Sequence, residues 1–292
     1  MIRGSIVALV TPFNASGAVD YDALKRLVEF HVSEGTHAVV AVGTTGESAT
    51  LSHSEDNDVI KATVEYVAGR IPVIAGAGSN STAEACQLTE AATRAGADAI
   101  LSVAPYYNKP PQTGLLAHFR AVAASTDLPI VLYNVPGRTV TDIADDTTLE
   151  LAQVPNIAGI KDATGNLERA KYVLKNRPEG FAVYSGDDPT AMELCLLGGD
   201  GDISVTANIA PRLMSQMIEN AMAGNRAEAE AINNQLLGLH SKLFIEPNPI
   251  PSKWALSEMG LIRADCRLPL VPLTEEGKVG VRVACEQAGI SL

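Results

Sequence analysis

Eight short apolar runs rich in β-branched residues recur along the 292-residue chain, with a helical-period stretch after most of them. The runs are Ser5–Val10, Ala38–Val42, Pro72–Ala75, Ala99–Val103, Pro129–Tyr133, Ile157–Lys161, Ala182–Ser185 and Asp202–Val205. Their starts lie about 20 to 35 residues apart, the length of one βα unit. Near-continuous apolar strands separated by helices specify a parallel sheet covered on both faces. Eight such units make either an open doubly wound sheet or a closed barrel. The polar residues favour the barrel, because chemically useful groups follow nearly every run. They include Thr11-Pro12, Thr44-Thr45-Gly46-Glu47, Tyr106-Tyr107-Asn108, Tyr133-Asn134, Lys161-Asp162, Gly186-Asp187-Asp188 and Thr206-Ala207-Asn208. An open sheet concentrates its site at one switch point, whereas a barrel gathers strand ends around one mouth. The expected fold is therefore α/β, a (β/α)8 TIM barrel over residues 1–224. After residue 210 the alternation stops, and 225–292 reads as a C-terminal helical appendix.

Composition narrows the class of partner. The net charge of −12 repels phosphate backbones and anionic lipid, so neither nucleic acid nor a membrane surface is expected to bind. Charged residues make up only 19% of the chain, which predicts that part of the surface is covered in a homo-oligomer. The four cysteines, at 86, 195, 266 and 285, lack zinc-ligand spacing and read as buried thiols of a reducing compartment. The first residues reach Thr11-Pro12 too soon for a leader peptide, and the expected location is cytoplasmic.

The candidate chemistry starts at Lys161, the last residue of Ile157-Ala158-Gly159-Ile160-Lys161. Strand alternation puts Ile157, Gly159 and Lys161 on one face. If that face is the barrel interior, the lysine loses hydration, its charged form is disfavoured, and a free amine is left to attack a carbonyl. The plain alternative is a lysine at a strand exit, in solvent or paired with Asp162. Tyr133 ends the preceding run, 28 residues earlier (161 − 133), so both side chains can reach one mouth. Its hydroxyl can pass protons to and from a carbinolamine, or simply cap the core.

Gly43-Thr44-Thr45-Gly46 follows the second run, and its backbone N–H groups suit a carboxylate, though such turns also form for local reasons. Arg138 supplies a cation in an acidic protein, either for a second carboxylate or for a surface pair with Asp142 or Asp145. No histidine sits at a strand end, so a metal-dependent aldolase is set aside; no metal and no cofactor are expected. Nucleotide fingerprints and a serine nucleophile elbow are also missing.

Taken together, several segments resemble the dihydrodipicolinate synthases of the pyruvate-dependent Schiff-base aldolase family, which includes N-acetylneuraminate lyase. They are Ala41–Ser48, Pro105–Pro110, Tyr133–Thr139, Gly159–Gly165, Ser185–Asp188 and Ile203–Asn208, and the likeness runs from Gly4 to beyond Trp254. The resemblance implies a lyase that condenses pyruvate with L-aspartate 4-semialdehyde through a Schiff base on Lys161. The product, 4-hydroxy-tetrahydrodipicolinate, lies on the diaminopimelate route to lysine. By the same resemblance Thr44, Tyr107 and Tyr133 form a proton relay, Thr45 lies by the pyruvate carboxylate, and Arg138 receives the semialdehyde carboxylate. Gly186 and Ile203 line the pocket. Tyr107 is expected to enter a neighbouring subunit's site in a homotetramer built from tight dimers. Ser48, Ala49, His53, Asn80, Glu84 and Tyr106 match a cleft that binds L-lysine in inhibited relatives. Two positions depart from the pattern: Asp162 stands where Glu is common, and Asp56 where strongly inhibited relatives carry His. The alternatives are another pyruvate-dependent lyase on this scaffold and a non-catalytic barrel that senses pyruvate or lysine.

Overall fold

The computed structural model describes residues 1–292, and its centre is a closed ring of eight parallel strands in chain order. The strands are β1 (Gly4–Ala8), β2 (Ala38–Ala41), β3 (Val73–Gly76), β4 (Ala99–Val103), β5 (Ile130–Asn134), β6 (Ile157–Asp162), β7 (Ala182–Ser185) and β8 (Gly201–Ser204). Strand β8 pairs with β1, which closes the sheet and leaves no edge.

Helices α1 (Tyr21–Ser33), α2 (His53–Val67), α3 (Thr82–Arg94) and α4 (Gln112–Ala123) follow the first four strands. After β5 come the short α5 (Pro136–Thr139) and α6 (Asp145–Leu151), then α7 (Leu167–Asn176), α8 (Asp188–Leu196) and α9 (Pro211–Met222). Side-chain caps start several of them: Asp20 for α1, Ser52 with Glu55 in a capping box for α2, and Asn166 for α7. The helical-period stretch Thr190–Leu197 of the sequence falls in α8, which begins two residues earlier. Proline is tolerated in a helix's first turn because the N–H it lacks has no partner there, so α8 runs through Pro189. The α5 turn was not expected; at four residues it is too short to show a period.

Two apolar layers form. A cluster including Ile6, Val40, Ile74, Leu101, Tyr133 and Tyr184 fills the barrel, and a larger one joins the outer strand faces to the helices. Helices α10 (Arg226–Lys242), α11 (Ile250–Glu258) and α12 (Glu275–Gln287) belong to that outer core: Leu236, Leu239, Trp254 and Val281 are buried in it. Helix α10 packs on α8, α9 and α12. No helix is long and apolar enough to cross a membrane.

One expectation fails inside β6. Ile130 pairs with Ile157, but Val131 pairs with Gly159, so Ala158 is an extra residue in a bulge. Ile157 therefore packs outward with the helices, while Gly159 and Lys161 turn inward. The single shared face read from strict alternation does not exist.

Candidate active site

The β6 bulge sets the direction of Lys161, and the neighbouring strands set its surroundings. Lys161 is in register with Tyr133 on β5 and Tyr184 on β7. It is 5% exposed, and its Nζ lies 4.4 Å from the centroid of the Tyr133 ring. An amine over a phenol face, inside a ring of apolar side chains, is sheltered from water, and the same ring carries a hydroxyl that can exchange protons. The lysine stem needs a glycine beside it. A Cβ at Gly186 would stand 2.6 Å from Lys161 Cε and 2.9 Å from Ala163 Cβ, closer than carbon atoms approach.

An inner cavity of about 130 Å³ opens on the amine, lined by Thr44, Thr45, Tyr133, Arg138, Lys161 and Gly186 among others. The bend that carries Thr44 and Thr45 leaves β2 and is crowded. A Cβ on Gly46 would meet Val42 Cα at 3.0 Å and Leu9 O at 3.1 Å, so a side chain there would have to push the backbone apart. Glu47 closes the bend in the left-handed region, φ 57°. Its buried carboxylate takes an ion pair from Lys253 Nζ on α11 at 2.5 Å. Lys253 Nζ also sits 4.0 Å from the centroid of the Phe13 ring, and burial pulls its pKa below the ordinary lysine value against the pull of Glu47. Asp188 Oδ2 accepts from Val205 N, Thr206 N and Thr206 Oγ1, fixing Val205 at the cavity lining.

Arg138 is exposed at the mouth and makes no ion pair. Arg169 takes Asp142 and Asp145 instead, each at 2.8 Å, so the surface-pair alternative for Arg138 does not occur. The guanidinium is left free to meet a carboxylate.

Other expected residues lie elsewhere. Ile203 is buried within the barrel filling but does not line the cavity; Val205, two residues on, does. Tyr107 is 87% exposed, and its phenol lines neither cavity of its own chain. Its backbone is held at φ 75°, a costly conformation for a non-glycine residue, with its N–H donating to Thr139 O at 3.3 Å.

A second, outer cleft of about 450 Å³ shares Thr44, Tyr133 and Arg138 with the inner one. Ser48, Ala49, His53, Glu84 and Tyr106 line it, but Asn80 does not. His53 Nε2 lies 2.9 Å from Glu84 Oε1, and Ser79 donates to the same carboxylate. Asp56 also lines this cleft. Its Oδ1 has no partner, and burial, aided by the nearby Glu55 charge, raises its pKa to about 7. The native state thus holds a proton that the unfolded chain, with its ordinary value near 3.8, releases. Stability should fall as pH rises from the unfolded value to about 7 and stay lowered above it. Asp56→Asn removes that dependence. Its stabilising effect should be larger at about pH 8 than at about pH 5, by on the order of 2 kcal/mol, read from urea midpoints at the two pH values. An equal effect at both would exclude a titrating Asp56.

Sequence reasoning passed over Asn248, Lys253 and Phe244. Asn248 and Phe244 line the inner cavity, and Lys253 anchors its bend. The one local signal was the run Glu-Pro-Asn-Pro-Ile-Pro at 246–251, whose prolines mark a rigid segment.

Comparison with known proteins places this geometry. The model of the "Dihydrodipicolinate synthetase family" matches residues 1–288. The 4-hydroxy-tetrahydrodipicolinate synthase of Methylococcus capsulatus is 60% identical over 290 residues, covering 99% of this chain and 100% of that one. The chloride-inhibited dihydrodipicolinate synthase of Acinetobacter baumannii, solved with pyruvate, superposes with a TM-score of 0.98 at 54% identity, covering 99% and 100% of the two chains. The enzyme from Cyanidioschyzon merolae, solved with lysine bound, gives 0.96 at 42% identity, covering 99% of each. The chain belongs to the dihydrodipicolinate synthetase family.

Proposed function

We propose that this chain is a Schiff-base-forming lyase, a 4-hydroxy-tetrahydrodipicolinate synthase that condenses pyruvate with L-aspartate 4-semialdehyde. The observation that carries the reading is the Lys161 amine, buried in the barrel and 4.4 Å from the Tyr133 ring centroid. Lys161 Nζ adds to the keto carbon, and loss of water gives the Schiff base. Loss of a methyl proton gives the enamine, whose carbon bonds to the aldehyde carbon while the aldehyde oxygen takes a proton. The semialdehyde's own amine then adds to the Schiff-base carbon, closes the ring and expels Lys161 as a free amine.

The roles follow the placement of each group. Tyr133, with Thr44 beside it on the cavity wall, moves protons during carbinolamine formation and loss. Thr45 and the bend amides hold the pyruvate carboxylate, and unpaired Arg138 holds that of the semialdehyde. Both acids approach a protein of charge −12, so this local attraction offsets a repulsive field. Tyr107 completes the relay in a second copy of the chain. Its exposed phenol on a strained backbone supports a dimer of tight dimers. L-lysine is the effector of the outer cleft, where the uncompensated Asp56 carboxylate favours its amine as pH rises. The enzyme works in the cytoplasm, in the diaminopimelate route to lysine.

Turnover with pyruvate and aspartate semialdehyde tests the reading. Reaction only with other aldehydes points to a different pyruvate lyase, and no turnover with any points to a sensor. Tyr133→Phe should lower kcat about a hundredfold while pyruvate still binds, in a steady-state assay paired with calorimetry. An unchanged kcat would remove Tyr133 from the relay.

A further inference from the structure

Asn248 belongs to none of the motifs that suggested chemistry, yet it lines the inner cavity with Lys161 and is 5% exposed. Its Nδ2 donates to Thr45 Oγ1 at 2.9 Å, and its Oδ1 is buried without a partner. A hydroxyl that accepts from an amide directs its own proton elsewhere. Thr45 makes no other side-chain hydrogen bond within the protein, so that proton is available to a ligand in the cavity. We propose that Asn248 is a positioning residue that fixes Thr45 as a hydrogen-bond donor to the carboxylate of the bound keto acid. The inference rests on the proposed roles of Lys161 and Thr45.

The same short segment grips the bend twice. Asn248 holds Thr45, and Lys253, five residues on, holds Glu47. The C-terminal region thereby sets both the position of the bend and the polarity of its hydroxyl. An amide is the side chain this arrangement calls for. An aspartate of the same shape reverses the bond, since a carboxylate only accepts. It takes the Thr45 proton and adds negative charge beside the place of an anionic carboxylate. The unpartnered Oδ1 remains an acceptor for a donor entering with the substrate or its water.

Asn248→Asp, Asn248→Ala and Thr45→Val in the full chain test this through steady-state kinetics, with melting curves as the folding control. Asn248→Asp should raise KM for pyruvate by about tenfold or more. Asn248→Ala should raise it less, and kcat and the KM for the semialdehyde should stay within about twofold in both. In the Thr45→Val background, Asn248→Ala should add less than about twofold, because the hydroxyl it orients is gone. An unchanged pyruvate KM in folded Asn248→Asp overturns the proposal, as does a loss shared equally among all three parameters. Should Asn248→Asp fail to fold, the Asn248→Ala and Thr45→Val cycle decides alone, and additive losses overturn it. Borohydride trapping of pyruvate on the unaltered protein separates the two levels. No adduct at Lys161 removes the Schiff-base reading itself, whereas an intact adduct with an unmoved KM removes only the role of Asn248.

Discussion

Lys161→Ala is expected to lower turnover by about ten-thousandfold or more and to abolish the pyruvate adduct that borohydride traps on the unaltered protein. The size reflects what the amine does. It splits the condensation into steps with a covalent intermediate, and no neighbouring group can replace it. Lys161 is the only lysine that lines the inner cavity. Fold should survive, because the Lys161 amine makes no ion pair and acts on the buried Asp202 carboxyl only through space. The measurements are intact-mass and peptide mass spectrometry after reduction, with steady-state turnover. A pyruvate-derived mass that persists in Lys161→Ala, on any other lysine, would refute the assignment of the nucleophile.

The second large effect concerns stability. Lys253→Met should cost about 3–5 kcal/mol of unfolding free energy, the range for removing one partner of a buried ion pair. The side chains of Lys253 and Glu47 are 0% and 1% exposed, so no water compensates the carboxylate left behind. In a chain of this size the loss corresponds to a melting temperature lower by about 10 °C. Glu47→Gln alone should also destabilise, by leaving the ammonium without its counter-charge. The two changes combined should recover more than half of the summed loss. A neutral pair carries no unpaired charge, and the amide oxygen introduced by Glu47→Gln can still accept from the Arg267 N–H that the carboxylate now takes. A cost under about 1 kcal/mol for Lys253→Met in denaturant titrations would show that the pair is not dry.

The barrel was legible because each unit repeats one local rule: an apolar strand, a polar exit, an amphipathic helix. Errors at element ends stayed small, as with α8 and Pro189. The chemistry at strand exits was legible for the same reason, since Tyr133 and Lys161 close consecutive strands and fall into register. Three things were not legible. The bulge at Ala158 leaves no mark in a six-residue strand, and a count of alternation put Ile157 on the wrong side. The Lys253–Glu47 pair joins residues 206 positions apart, beyond any local pattern. Asn248 sits in a proline-rich run that reads as a connector, and only the closed fold brings it to Thr45. Sequence periodicity reports the direction of a residue relative to its own element; contacts that return from the far end of the chain carry no such signal.

The extra residue in β6 gives that strand a reserve of length between Ile157 and Lys161. Upstream of Gly159 the chain is anchored through Ile157 in the helical layer, and the slack is already taken up at position 158. A lineage that lost the Ala158 codon would restore plain pairing and keep its nucleophile aimed at the axis. The same holds for the aim of Lys161 if Ile160 is lost instead, because three residues stand between the outward Ile157 and the inward Lys161 and plain alternation needs two. Within one short strand, then, a single lost codon is absorbed wherever it falls between those two residues, and the nucleophile keeps its direction.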